Sequence, residues 1–492
     1  MNKEVRLGGD HAGSVTRRVA KSTVYLALAD IAGKAMAFFY YVLAARHLGV
    51  EKYGVLSFAL AFTAMLGVLT DLGLGTIATR EIARDPEQAR PQVNDALTMR
   101  LMASVVIIAA IVVLVNLLRY QAATIRVVYI CSISVLTNAV ASLLCNVFQG
   151  SERMELLALN RFSQAAILVA GAFLLLRGPS TPESYALLFA VAGAVSVAVG
   201  IVNAAPLVGG LRPDLNFNRW RELLRASTPV GLAAVFTMFY YWIGTTLLSK
   251  MSGNSAVGNY SAAFRLTTAL VLGGFAFSGA VYPVFSRMFA SDSDRLSRAL
   301  EMGTKYMLWI TFPVAAFGTV FAQPAVVILY GGAYQDAPAV LRVLVWWGAC
   351  ASLNSLFSNY LISVRRPKVI ATQTGVSLAV NVGFAVVLIP AYGATGAAVA
   401  LLVSEAVGLF YLASLLLRST DRQRIRVVAT NGRRVVLALG LAVIVALAVS
   451  RRSTASGLAA GLAAYCVLMF VVRAVGKEDL QALRTLLRSG AE

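Results

Sequence analysis

The sequence predicts an all-α membrane protein of about fourteen transmembrane helices, and three observations carry that prediction. Of 492 residues, 58% are hydrophobic and only 13% charged, with a mean hydropathy of +0.73. A soluble domain of this length needs far more polar surface to cover its core. Apolar stretches recur from Ala20 to Val475, each about twenty residues and so long enough to cross hydrocarbon as a helix. Lys and Arg are concentrated in alternate loops, as the positive-inside rule requires. The apolar runs lack the two-residue alternation of barrel strands.

The spans are placed at 20–45, 54–77, 93–118, 124–148, 156–176, 185–207, 228–248, 259–285, 306–322, 340–363, 369–390, 393–417, 435–450 and 456–475. The first follows a charged tail, 1–19, and carries Asp30 and Lys34, which argues against a cleaved signal peptide. The second breaks at Asp71-Leu72-Gly73-Leu74-Gly75, where Asp71 is expected to cap the helix or pair with Arg80. The first six spans form an N-lobe, 20–207. A basic, partly amphipathic linker, 208–226, then contains Arg219-Trp220-Arg221 and Arg225. Spans seven to twelve form a C-lobe, 227–417. Helices 13 and 14, within 418–475, stand outside the repeat, and 476–492 is a second tail.

The two-lobed repeat is read from matched motifs. Phe39-Tyr40-Tyr41 in the first span recurs as Phe239-Tyr240-Tyr241 in the seventh, and Tyr53 and Phe58 have counterparts in Tyr260 and Phe264. Many transporters build a central site between two such halves. With both termini cytoplasmic, the inner segments hold 31 of the 43 Lys and Arg and the external loops 8. Topology therefore accounts for the net charge of +20, and no nucleic-acid partner is expected. The connections 208–226, 287–305 and 418–434 are expected to lie on anionic membrane lipids. Cys131, Cys145, Cys350 and Cys466 all fall in apolar runs and are expected to be buried apolar side chains.

Charges inside spans are the functional candidates, because each costs roughly 2.5–3.5 kcal/mol at a helix centre. Lys34 lies mid-span with Asp30 one turn earlier, so the two are placed either as a pair or as cavity lining. Arg265, in the eighth span, either snorkels to the interface or faces Lys34 across an inter-lobe cavity. Glu405 is a lone acid in the twelfth span. It is either a proton-exchanging group coupled to ion flow or a structural residue bonded to Asn or Gln. Tyr40, Tyr41, Tyr241 and Trp242 either line a sugar path or belong to aromatic belts, and Trp346 and Trp347 suit the belt. No external loop is long enough for a catalytic domain, and neither metal-ligand spacing nor a nucleotide-binding fingerprint is present. No enzyme, catalytic residue, metal or cofactor is expected.

The motifs resemble a known family. Ala45-Arg46-His47-Leu48-Gly49, Tyr53-Gly54, Asp71-Leu72-Gly73-Leu74-Gly75 and Arg80-Glu81-Ile82-Ala83 resemble the opening signature of polysaccharide-transporter flippases. In the second half, Gly258-Asn259-Tyr260, Leu329-Tyr330-Gly331, Asn381 and the run Leu388 to Ala398 agree with it. These flippases belong to the multidrug/oligosaccharidyl-lipid/polysaccharide (MOP) superfamily. The resemblance implies two six-helix lobes and a cationic central cavity. It also implies transfer of undecaprenyl-diphosphate-linked oligosaccharide from the inner to the outer leaflet of the bacterial cytoplasmic membrane, in company with polysaccharide polymerase machinery. A diphosphate needs buried cations to cross hydrocarbon. In related lipid II flippases, arginines of helices 1, 2 and 8 serve it, and Lys34 and Arg265 sit on the matching helices 1 and 8. The alternatives are a drug or metabolite cation antiporter of the same superfamily and, more remotely, a membrane-embedded polymerase or ligase.

Overall fold

The computed structural model describes the backbone of residues 4–208, 216–291, 293–419, 422–451, 453–472 and 474. Side chains are described at 32–85, 90–207, 216–289, 294–417, 430, 432–451, 453–472 and 474. The side chains of Asp30 and of the 1–19 tail, the 476–492 tail and linker residues 209–215 lie outside these sets.

Fourteen α-helices follow in chain order: α1 (Glu4–Gly67), α2 (Leu74–Arg84), α3 (Pro86–Leu117), α4 (Ala122–Gly150), α5 (Met154–Leu175), α6 (Pro182–Val208), α7 (Phe217–Leu270), α8 (Leu272–Ser291), α9 (Ser293–Val320), α10 (Ala322–Tyr330), α11 (Ala337–Ser363), α12 (Pro367–Ser419), α13 (Arg422–Ser450) and α14 (Thr454–Val471). Helices satisfy their own backbone polar groups, which lipid cannot do for them. Ten helices are long and apolar enough to cross a membrane, and the pair Asp294–Val320 and Ala322–Tyr330, bent by 77°, makes an eleventh. Two of the ten, Ala32–Thr70 and Pro367–Leu417, each hold most of two predicted spans joined at a glycine kink, at Gly49 and Gly393, and Phe217–Leu270 holds the seventh and the first part of the eighth around a kink at Gly253. Divided there, and with α8 completing the eighth, the helices among the described residues match the predicted fourteen.

Those kinks correct the predicted external loops. Gly49 has φ 74° and ψ 172°, and Gly253 has φ 81° and ψ −178°, a region open essentially to glycine alone. One residue therefore turns the chain where a loop of several was expected. The eighth predicted span is also interrupted, because α7 ends at Leu270 and α8 begins at Leu272.

The chain divides into two compact units, Met1–Ser249 and Lys250–Glu492. In the first, α4 packs on α6 and α1 on α5. Helices in lipid gain little from apolar contact alone and associate through small residues and polar links. A Cβ at Gly193 would lie 2.5 Å from the Thr137 side chain, and one at Gly200 2.6 Å from that of Leu144, so glycine at both places permits the close α4–α6 approach. In the second unit, α8, α9, α11 and α12 surround a core of Phe285, Leu296, Met307, Leu353 and Leu356. Helices α13 and α14 pack together, and α13 docks on α9 through a cluster containing Phe317, Phe321, Ala442 and Tyr465.

Two further expectations are corrected. Trp347 is 1% exposed and packs against Phe264 at 5.3 Å between ring centroids, so it is a core residue and no part of an aromatic belt. Of the four cysteines, all free, Cys131 is buried, Cys145 and Cys350 are half-buried, and Cys466 is exposed on α14.

Candidate functional site

The predicted Lys34 opens onto a cavity of about 460 Å³ within the first unit. Its α1 wall is Gly33, Lys34, Ala37 and Tyr41, and its α5 wall is Arg161, Gln164, Ala165 and Leu168, with Phe189 of α6 behind. The α5 positions follow i, i+3, i+4, i+7, one helical face. Neighbouring contacts set the rotation of each helix. On α1, Tyr40 is fully buried and its hydroxyl donates to the Tyr185 carbonyl of α6 at 3.1 Å. On α5, the Asn160 amide donates to the Ser196 carbonyl at 2.7 Å and its oxygen accepts from the Ser196 hydroxyl at 2.8 Å. Polar links of this kind hold membrane helices in register. Among the described lining residues there are two cations and no carboxylate.

The aromatic motif repeats as geometry as well as sequence. Tyr40 and Tyr41 stand edge to face at 5.1 Å and 69°, and Tyr240 and Tyr241 at 5.5 Å and 69°. In each pair the first tyrosine is buried. Tyr41 faces the cavity, whereas Tyr40 is committed to the α1–α6 contact. Tyr241 and Trp242 on α7 are half-buried. Arg265 is half-buried in the second unit, about one and a half turns before the break at Val271.

Glu405 is 7% exposed. The Asn354 amide of α11 donates to its carboxyl Oε1 at 2.5 Å and to its carbonyl at 3.1 Å. Beside it, Gln373 donates to Ser377 at 3.1 Å, and Ser377 donates to the Ser404 carbonyl at 3.1 Å. This polar seam joins α11 and α12 within the second unit.

The break after the second span has a role that its sequence only hinted at. Asp71 caps locally, accepting from the Gly75 N–H at 3.0 Å, but its ion-pair partner is Arg100 of α3 rather than Arg80. Arg80 instead pairs with Glu81. Arg100 is completely buried and also donates to the Ala139 carbonyl and the Ser142 hydroxyl, both at 2.9 Å. A Cβ on Gly75 would overlap Asn146 and Arg100, and one on Gly231 would overlap the Leu72 backbone. The Asp-Leu-Gly-Leu-Gly run is thus a crossing point for α3, α4 and α7. Earlier in α3, buried Asp95 accepts from the Trp220 indole at 3.1 Å and pairs with Arg219 at 2.7 Å. The described end of the linker therefore packs on protein through Arg219 and Trp220, with Arg221 and Arg225 exposed.

Arg161 and Gln164 were not singled out by sequence reasoning. An arginine near the basic end of a span is ordinarily a snorkelling side chain, and nothing local distinguished it. The available signal was the shared face of Arg161, Gln164 and Leu168 on a helix that is otherwise apolar beyond Ser163.

Fold and charge together define a multi-pass membrane transporter architecture. The family model described as polysaccharide biosynthesis protein matches residues 19–289, and the MatE model matches 229–387. The chain belongs to the polysaccharide biosynthesis protein family, within the MOP flippase superfamily. It is 24% identical over 391 residues to the probable low-salt glycan biosynthesis flippase Agl15 of Haloferax volcanii, covering 79% of this chain and 81% of that one. The probable lipid II flippase MurJ of Rhizobium meliloti is 27% identical over 331 residues, 61% of this chain and 60% of that one. Among solved structures, the lipid II flippase MurJ in an inward closed conformation superposes with a TM-score of 0.73 at 13% identity, covering 92% of this chain and 99% of that one.

Proposed function

We propose that the protein is a flippase for lipid-linked glycan. In this reading it moves undecaprenyl-diphosphate-linked oligosaccharide from the inner to the outer leaflet of a bacterial cytoplasmic membrane by alternating access, with both termini cytoplasmic. The observation that carries the reading is the cavity in the first unit, which combines cations with an amide and a phenol. A diphosphate crossing the bilayer must exchange its hydration for charge-assisted hydrogen bonds, and Lys34 and Arg265 are the residues assigned to it. Glycan hydroxyls need neutral partners and flat apolar faces, roles given to Tyr41, Tyr241 and Trp242, with Tyr40 holding Tyr41 in place. Anionic lipids would contact the exposed Arg221 and Arg225, and a polysaccharide polymerase would take the product. A cation antiporter would instead require carboxylates around its substrate, and the described lining residues offer two cations.

The test is surface-glycan export in a bacterial strain lacking its own flippase. Restored export is expected, normalised to the amount of protein in the membrane. No restoration by well-inserted protein removes the proposal.

Asp30 and Glu405 are assigned to ion coupling. Glu405→Gln preserves shape and can still accept from Asn354, but removes the titrating proton. Uphill movement driven by a proton gradient should be lost while the variant remains folded. Wild-type transport by this variant across pH returns Glu405 to a purely structural role.

A further inference from the structure

We infer that Arg161 and Gln164 of α5, facing Lys34 and Tyr41 of α1, form a binding site within the first unit for the diphosphate and first sugar of the lipid-linked substrate. The inference rests on the flippase reading and adds to it a third helix, a third cation and a neutral partner for the first sugar.

Arg161 lies seven residues into α5, about 10 Å along the axis. Polar residues at membrane depth face a protein interior or an aqueous cavity, and serve it. In α5, Asn160 is occupied by Ser196, and the Ser163 hydroxyl bonds the Asn160 carbonyl at 2.8 Å. Arg161 and Gln164 are the polar side chains of this stretch that line the cavity. The chemistry is complementary in kind. A guanidinium offers a fixed fork of donors suited to two phosphate oxygens, and an ammonium acts as a compact point charge. Gln164 supplies both a donor and an acceptor, which a sugar hydroxyl can use together. The cavity's 460 Å³ falls in the range of small-ligand sites, about 300–1,000 Å³. Gly33 also lines the cavity, and a Cβ there would meet nothing within 4 Å. The first atom of a larger side chain at this position therefore has room.

The experiment uses the full chain purified in detergent, with geranyl diphosphate as a soluble prenyl diphosphate and geraniol and inorganic pyrophosphate as comparators. Geranyl diphosphate should bind most tightly. Arg161→Gln should weaken it roughly ten- to a hundred-fold, the usual effect of losing a donor to a charged group, while Arg161→Lys retains much of the affinity. Gly33→Phe should abolish binding with the melting temperature preserved, an effect that a snorkelling Arg161 would not produce. Exposed Arg287→Gln serves as the control. Wild-type affinity in both Arg161→Gln and Gly33→Phe overturns the site. Equal affinity for inorganic pyrophosphate overturns its assignment to a lipid headgroup. If the wild-type chain restores glycan export and Arg161→Gln restores it equally, the flippase reading stands and this site falls. If the wild-type chain restores nothing, both fall.

Discussion

Arg265→Ala is expected to cripple surface-glycan export in a strain lacking its own flippase, while the protein still inserts and accumulates at the wild-type level. Arg265 is half-buried in a transmembrane segment, where an unused cation is costly. Removing a donor to a charged group generally costs about 1.5–3 kcal/mol, roughly ten- to a hundred-fold in affinity. Lys34→Gln should have a comparable effect. Lys34→Arg should retain much activity, because a diphosphate accepts either cation. Exposed Arg287 should tolerate Gln. Full export by the Lys34→Gln, Arg265→Ala double variant would remove both residues from the headgroup site.

The second large effect concerns stability. Asp71→Ala should destabilise the protein by about 1–3 kcal/mol, because it leaves the fully buried Arg100 without its counter-ion, while the 36% exposure of Asp71 lets water take part of its place. The bonds from Arg100 to Ala139 and Ser142 remain, but neither neutralises the charge. Arg80→Ala provides the contrast. Its pair with Glu81 is solvent-exposed on the Arg80 side, 55%, and such pairs contribute about 0–1 kcal/mol. Thermal unfolding in detergent should therefore separate the two variants widely. A double-mutant cycle with Asp71→Leu and Arg100→Leu should show strong coupling, since losing both charges together spares the orphaned one. Equal melting temperatures for Asp71→Ala and Arg80→Ala would contradict this account.

These two predictions also mark how far the sequence alone carries. Span number and the repeated aromatic motif were legible because hydropathy and aromatic spacing are local or periodic signals. Gly49 and Gly253 belong to that repeat, yet their kinks were invisible because a single glycine and a short loop read alike. The partner of Asp71 was not legible. Arg100 lies 29 residues away at the start of an apolar run, and only the packing of α3 beside the helix break brings the two together. Arg161 was missed for a related reason: its depth suits snorkelling, and its meaning comes from the α1 face opposite. Lys34 was found because a charge in mid-span needs no partner to be conspicuous.

The central claim is translocation of a lipid-linked glycan, and proteoliposomes test it most directly. A prenyl-diphosphate-linked oligosaccharide carrying a fluorophore on the glycan is incorporated in both leaflets, and a membrane-impermeant quencher reads the outer one. With the wild-type chain reconstituted, the protected inner-leaflet fraction should become accessible within minutes. With Lys34→Gln, Arg265→Ala it should remain protected as in protein-free vesicles. Wild-type vesicles that expose the glycan no faster than protein-free ones, while moving an organic cation across the same membrane, would contradict the account.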